Sequence, residues 1–313
     1  MYYDNTNWLS PEDPMELRQL QHFLAVVEEG NFHRAAAKVH LTQQAVSKSI
    51  AQLETNLGVR LLDRDRQSVA LSPFGELLLP HAKTVDAEVR RFHDNLATML
   101  GTKTGIVRVG ATPTMLNQLL PEALHRLHAA RPQLKLHVES GDFDRLAGTL
   151  LRGELDVVFS TEPSEAADEL IALERLCEDH NIVAAKPGHP LARAKTAKAK
   201  DLAAYPWLAI ANFPKADQDF KSLFAADKIK PPHPAVSTSS VVFALNWLLQ
   251  SEFLCVMPRQ LVSRELDNGT LVEIATPLKP RAWPLVVAYR KNATRSPATL
   301  ALIDVAKTVA KQM

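Results

Sequence analysis

The chain has 313 residues, 46% of them hydrophobic, and its 36 basic and 35 acidic side chains leave a net charge of only +1. That length accommodates about two or three domains, and the balance of charge excludes a general polycation. No uninterrupted apolar run approaches the ~20 residues of a membrane-spanning helix, and the two cysteines, Cys177 in ERLCED and Cys255 in FLCVMP, are too far apart to suggest a metal site or a disulfide framework. The expectation is a soluble cytoplasmic protein with two small core thiols.

The first fourteen residues, MYYDNTNWLSPEDP, contain no basic stretch followed by an apolar one, so they do not form a signal peptide. An N-terminal arm and an upstream start codon before Met15 are the two alternatives. From Leu17 to Gln67 the pattern predicts short helices joined by a tight turn. Phe23, Val26, Val27, Phe32 and Leu41 supply a small core, and Ala35, Ala36 and Ala37 remove bulk where two helices cross closely. A further helix is expected to start at Thr42, whose hydroxyl can cap an orphan N–H. It carries Val46, Ile50, Leu53 and Leu57 as one apolar stripe. Gln44, Ser47 and Lys48 fall away from that stripe, and Gln43 lies at its margin in the first turn. Amide, hydroxyl and ammonium groups presented there can read base edges or hold phosphates, so the segment is expected to be a helix-turn-helix that enters the major groove of DNA.

Gly58 suits a helix C-terminus, and VRLLDRDRQSVALS predicts a two-stranded wing with Arg64 and Arg66 near its tip. Between Asn31 and Ala70 six Lys or Arg stand against three acids, a local excess of +3 that favours phosphate contact and doubles in a dimer.

These segments resemble the DNA-binding domain of LysR-type transcriptional regulators. The likeness lies in the ELRQLQHF opening, the AAAKVHLTQQAVSKSIAQLE helix-turn-helix, the LGVRLLDR lead into the wing, and the SPFGE start of a long helix. The family commonly has proline at the second position of the reading helix; Gln44 stands there, which bears on the contact implied at that point.

One long helix is expected from Pro73 to about Thr102. Leu78, Ala82, Val85, Val89, Phe92, Leu96 and Met99 alternate spacings of four and three along it, with charged residues outside. Such a seam predicts a dimerising coiled coil, and a two-fold dimer suits a site with approximate dyad symmetry. The alternative is packing against the chain's own core.

Beyond Gly105 short strands alternate with helices: IVRVGA, LKLHVES, DVVFS, NIVAAK, WLAIAN, FLCVMP, LVEIAT and PLVVAYR, then a final helix. GATPT, RGELDVVFS, PGHPLA and AVSTSS resemble landmarks of the family's effector domain, which implies a periplasmic-binding-protein-like fold of two subdomains. The first is expected over about 105–163 and 270–313, the second over about 164–269. The overall expectation is an α+β multidomain chain: extension 1–14, winged helix-turn-helix 15–72, linker helix 73–102 and α/β effector domain 105–313.

An effector would lie between the subdomains, at strand C-termini and helix N-termini. Thr112 and Thr114 follow the first strand and open a helix, where an anion is stabilised; Ser140, Thr161, Phe213, Thr238 and Ser239 occupy comparable strand ends or loops. Any one could be an ordinary cap, but together they suggest a small carboxylate or polar metabolite. Where the family often has a glycine-rich loop before FLCVMP, this chain has Gln250-Ser251-Glu252, which leaves the pocket shape on that side open.

No GxSxG elbow, HExxH, P-loop or GxGxxG is present. His125 and His128 have no evident third ligand, and the Arg193, Lys195, Lys198, Lys200 run is interrupted by alanines. The expectation is therefore a non-enzymatic regulator without metal or cofactor, a homodimer or homotetramer, whose partners are double-stranded DNA, a small effector and, at a promoter, RNA polymerase. The competing class is a solute-binding or enzymatic α/β protein with an accessory helix-turn-helix.

Overall fold

The computed structural model describes residues 15–64, 69–99, 105–163, 167–211, 213–225, 227–277, 281–291 and 293–313. Arg66 lies outside them, as do the side chains of Arg64 and Met99. The chain divides into two compact units, one reaching from the N-terminal helices through the long helix and one from residue 105 onward.

The first unit contains α1 (Leu17–Glu29), α2 (Phe32–Lys38), α3 (Gln43–Leu57), β1 (Leu62–Arg64), β2 (Val69–Leu71) and α4 (Pro73–Met99). Asn31 caps α2 by accepting the N–H groups of His33 and Arg34, at 2.7 and 3.2 Å. Thr42 caps α3, its hydroxyl 3.2 Å from the Ala45 N–H, and Gly58 ends that helix in the left-handed region at φ 68°. Val46, Ile50 and Leu53 are buried with Phe23, Val26, Ala35, Ala36, Leu61 and Ala82 in one core. Leu57 departs from the expected stripe at 40% exposure, and Leu41 is exposed as well. Leu57 is the last residue of α3, where the helix has already turned past its neighbours. The wing is an antiparallel pair, Leu62 opposite Leu71 and Arg64 opposite Val69.

Two side chains explain how the wing and the long helix join this core. Glu54 on α3 accepts the Leu61 and Leu62 N–H groups at 2.8 and 3.2 Å. Ser72 donates to the Arg60 carbonyl at 2.6 Å and accepts the Gly75 N–H at 3.1 Å, which caps α4. Of the expected dimer seam, Leu78 packs against the unit's own core and Ala82 belongs to it. Val85, Phe92 and Leu96 are exposed, Phe92 at 62%, and Val89 is half-buried. The part of the expected seam that does not pack on the unit's own core thus begins at Val85.

The second unit runs β3 (Ile106–Ala111), α5 (Leu119–Ala130), β4 (Lys135–Ser140), α6 (Phe143–Leu151), β5 (Val157–Thr161), β6 (Ile171–Asp179), β7 (Asn181–Ala185), α7 (Ala199–Ala203), β8 (Leu208–Ile210), α8 (Pro214–Ala225), β9 (Val236–Thr238), α9 (Val241–Gln250), β10 (Cys255–Pro258), α10 (Ser263–Asp267), β11 (Val272–Ile274), β12 (Trp283–Arg290) and α11 (Pro297–Ala310). A five-stranded sheet has the order β4-β3-β5-β12-β6, and a second lobe carries the sheets β10-β7-β11 and β8-β9. In the first, α5 and α11 cover one face over Val107, Val109, Phe159 and Val287; α6 covers the other with Leu146 and Leu150 over Val158 and Ala288.

The strand pairing corrects the expected lobe boundaries. Ile171–Asp179, expected in the second subdomain, pairs along its whole length with β12, and Val272–Ile274, expected in the first, pairs with β7. The chain therefore crosses between lobes at His180, not near 164, and returns between Ile274 and Trp283, not at 270. The helix expected directly after β3 is also divided: Pro113–Leu116 forms a four-residue 3-10 turn, and α5 starts at Leu119.

Candidate nucleic-acid interface and ligand cleft

On α3, Gln44 and Lys48 are exposed on the side away from Val46, Ile50 and Leu53, Ser47 is half-buried, and Gln43 is exposed at the margin of the stripe in the first turn. These are the groups expected to meet DNA; Thr42 serves as the helix cap. His22 of α1 braces the same helix from behind, its Nδ1 2.8 Å from the Ser49 hydroxyl. Burial, with Arg18 nearby, holds this imidazole below its ordinary range.

The basic excess is partly spent inside the unit. Lys38 pairs with Glu28 and Glu29 at 2.8 and 3.1 Å, and the Arg34 guanidinium donates to the Glu29 carbonyl. Both acids precede the window in which charge was counted, so the sequence overstated the cationic surface of α2.

In the second unit the candidate ligand residues collect along one edge. Strands β3, β4 and β5 run parallel, β12 opposes β5, and β6 opposes β12. The C-terminal ends of β4, β3, β5 and β6 therefore share an edge with the start of β12. That edge carries Ser140, Thr112, Thr161, Trp283 and Asp179 in order of strands. At ~4.8 Å between neighbours, the strands that carry Thr112 and Asp179 are ~14 Å apart across the sheet.

Thr112 is buried; its N–H donates to the Phe159 carbonyl at 3.0 Å, and its hydroxyl has no partner. Thr114 is buried beside it, Thr161 is half-buried, and Ser140 is exposed with its carbonyl taking a bond from Arg145. Because the helical turn after Thr112 is so short, its dipole adds little for an anion. From the second lobe comes Phe213, half-buried at the start of α8. Before α9, the Thr238 hydroxyl accepts the Ser240 N–H at 3.0 Å, Ser240 caps the helix, and Ser239 is exposed.

The lobes touch through residues that the sequence did not single out. Asn117 Nδ2 reaches the Leu261 carbonyl at 2.8 Å and Glu265 at 3.1 Å. Lys215 on α8 donates to the Glu162 carbonyl at 3.3 Å, and its ammonium stands 5.0 Å from the centre of the Trp283 ring. Burial lowers the pKa of this lysine, with the push of Arg281 and against the pull of Glu162 and Asp179. A lysine at a helix start is too common in sequence to mark such a contact.

Cys177 is pushed up to about 11, chiefly by burial, and burial raises Cys255 as well, so neither thiol ionises readily. No group of three metal-ligating side chains occurs among the described residues, and no described helix is long and apolar enough to cross a membrane.

Residues 17–76 match the model of the bacterial regulatory helix-turn-helix proteins of the lysR family, and residues 101–311 match the LysR substrate binding domain. The chain belongs to the LysR family of transcriptional regulators. The SDS degradation transcriptional activation protein of a Pseudomonas species is 31% identical over 291 residues, covering 92% of this chain and 94% of that protein. Among solved structures, full-length CbnR complexed with its target DNA matches with a TM-score of 0.66 at 22% identity, covering 94% of this chain and all of that one. Full-length OxyR from Pseudomonas aeruginosa matches with a TM-score of 0.66 at 22% identity, covering 95% of each chain. At that identity the two structures bear on fold. As a LysR-type regulator, the protein is a DNA-binding transcription factor with a helix-turn-helix and an effector-binding domain, not an enzyme.

Proposed function

We propose that the protein reads a promoter site of approximate dyad symmetry with α3 and answers to a small carboxylate or similarly polar metabolite held along the sheet edge of its second unit. Gln43, Gln44, Ser47 and Lys48 face the bases and adjacent phosphates, with Arg64 and Arg66 of the wing as further contacts. Val85, Val89, Phe92, Leu96 and Met99 join two copies through α4, in a homodimer or a homotetramer that meets RNA polymerase at the promoter. Thr112, Thr114, Ser140, Thr161 and Phe213 line the ligand's path. Thr238 and Ser239 shape the loop before α9. The domains follow as 15–72, 73–102 and 105–313.

The observation that carries the effector reading is the buried, unpartnered Thr112 hydroxyl, since such groups in native proteins nearly always have a partner. Thr112→Val keeps the side-chain shape and removes the hydroxyl, so folding is unaffected or slightly improved. Native mass spectrometry of the purified protein is expected to detect a retained metabolite in the wild type and to lose it in the variant, with operator binding intact. Equal retention in both would remove Thr112 from the site.

A further inference from the structure

Among the described residues, five buried side-chain polar atoms have no hydrogen-bond partner: Thr112 Oγ1, Asp179 Oδ2, Asn181 Oδ1, Gln260 Oε1 and the Trp283 indole Nε1. Native interiors leave few such groups, and each calls for an explanation. Here they are not scattered. Thr112, Trp283 and Asp179 lie on the one sheet edge, Asp179 directly opposite Trp283 in register. Asn181 follows two residues later at the lobe crossover, opposite Pro258, and the Gln260 N–H donates to Asp179 Oδ1 at 3.2 Å.

The four atoms near the crossover have a definite chemistry. Asp179 Oδ1 is already used by the N–H groups of His180 and Gln260, while Oδ2 remains. Asn181 commits its Nδ2 to Asp219 at 2.8 Å, which identifies the orphan as its carbonyl oxygen. The set therefore offers three acceptors, one of them a carboxylate oxygen, and a single donor in Trp283. It suits a donor group: an ammonium can serve all three acceptors, and a hydroxyl can donate to one of them while accepting from Trp283. Against the same indole stands the Lys215 ammonium, which has three donors and uses one on Glu162.

We infer that this crossover is a second recognition element of the effector cleft, in which Asp179, Asn181 and Gln260 take a hydroxyl or ammonium group of a ligand whose carboxylate pairs with Lys215. The assignment rests on the reading of this edge as the effector site and narrows it from carboxylates at large to carboxylates bearing a donor group at their far end. The ends of β5 and β6 are two strand spacings apart, ~10 Å across the sheet, and the acids chosen for the test bracket that scale.

The test uses the full-length protein and matched sets of ligands: C4 to C6 alkanoates with their ω-hydroxy and ω-amino counterparts, and benzoate with 4-hydroxybenzoate and 4-(aminomethyl)benzoate. Thermal shift identifies binders and calorimetry gives their affinities. The expected result is that donor-bearing members bind about tenfold or more tightly than their plain partners. Asp179→Asn and Gln260→Ala should abolish that preference while leaving the weaker binding of the plain acid in place, whereas Lys215→Met should weaken both. The hydroxy and amino arms show which donor the site takes. Gln260→Ala retains the main-chain N–H that holds Asp179 and guards against a folding defect in the first variant. Plain and donor-bearing acids binding equally, or a preference that survives both variants, would overturn the assignment and leave the cleft reading standing, with the orphan atoms served by internal water. Absence of binding by every acid in the panel would overturn the carboxylate reading and the assignment together.

Discussion

Asp179→Asn is expected to make the protein more stable at neutral pH, a rare direction for a substitution at a residue 2% exposed. Burial raises the Asp179 carboxyl from its ordinary 3.8 to about 6, in spite of the N–H groups of His180 and Gln260 and the nearby charges of His180 and Arg259, all of which favour the anion. A folded-state pKa above the unfolded one means that the native protein holds a proton which the unfolded chain releases between roughly pH 4 and 6, so stability falls as pH rises through that window and stays low above it. The displacement from 3.8 to about 6 corresponds to ~3 kcal/mol at 1.36 kcal/mol per pH unit. Asparagine keeps an acceptor for the two N–H groups and carries no charge, while a new amide N–H2 without a partner costs about 1–2 kcal/mol. The net gain is therefore about 1 to 2 kcal/mol at pH 7.5, or ~2–4 °C in melting temperature for each kcal/mol. At pH 5, where the wild-type carboxyl is mostly protonated, linkage cuts the ionisation penalty to about half, so that the amide cost offsets it and the two proteins melt nearly together. Scanning calorimetry of both full-length proteins at the two pH values measures it. A variant that melts lower at pH 7.5, or a difference that does not change with pH, would refute a carboxylate whose burial outweighs its partners.

Ser47→Ala or Gln43→Ala is expected to cost about 1–3 kcal/mol at the cognate operator in fluorescence anisotropy, with random DNA less affected; equal losses on both would reduce these residues to backbone positioning. Phe92→Asp places a charge in the exposed run of α4 and should split the oligomer in sedimentation while the second unit stays folded, and an unchanged sedimentation coefficient would assign that run to another contact. A Cβ on Gly75 would lie 2.1 Å from the Leu61 carbonyl oxygen, so Gly75→Ala should destabilise the first unit by about 1–3 kcal/mol in urea unfolding, and a neutral result would show that the start of α4 can shift freely.

Helix-turn-helix features were legible because they are local. Thr42, Gly58 and the Val46, Ile50, Leu53 stripe each follow from spacing and cap chemistry, and the SPFGE signature resolves into Ser72 as a cap and Gly75 as a close approach to Leu61. Strand β6 was not legible. Its sequence IALERLCED has charges at Glu174, Arg175 and Glu178, because it is the outer strand of its sheet and only half-buried along most of its length. Missing it misplaced the lobe boundary and hid Asp179, its last residue. Lys215, Gln260 and Trp283 were invisible for a related reason: they come from three separate segments brought to the crossover by pairing that no local pattern encodes.

The positions of the orphan atoms bear on how binding becomes a signal. Direct side-chain links between the lobes are few: Asn117 to Leu261 and Glu265, Lys215 to Glu162, and Asp179 to the Gln260 N–H. At ~1 kcal/mol for a neutral hydrogen bond and somewhat more for charged ones, these links are worth a few kcal/mol. Inverting a two-state population from 1:99 to 99:1 takes ~5.5 kcal/mol of differential affinity. A ligand that satisfies Thr112 and the crossover group only when the lobes are correctly placed gains several otherwise absent hydrogen bonds in one arrangement, which is the scale required. A ligand that touches the first lobe alone binds both arrangements equally and shifts neither. Selectivity and switching would then reside in the same atoms, those whose burial without a partner lowers the stability of the unliganded protein.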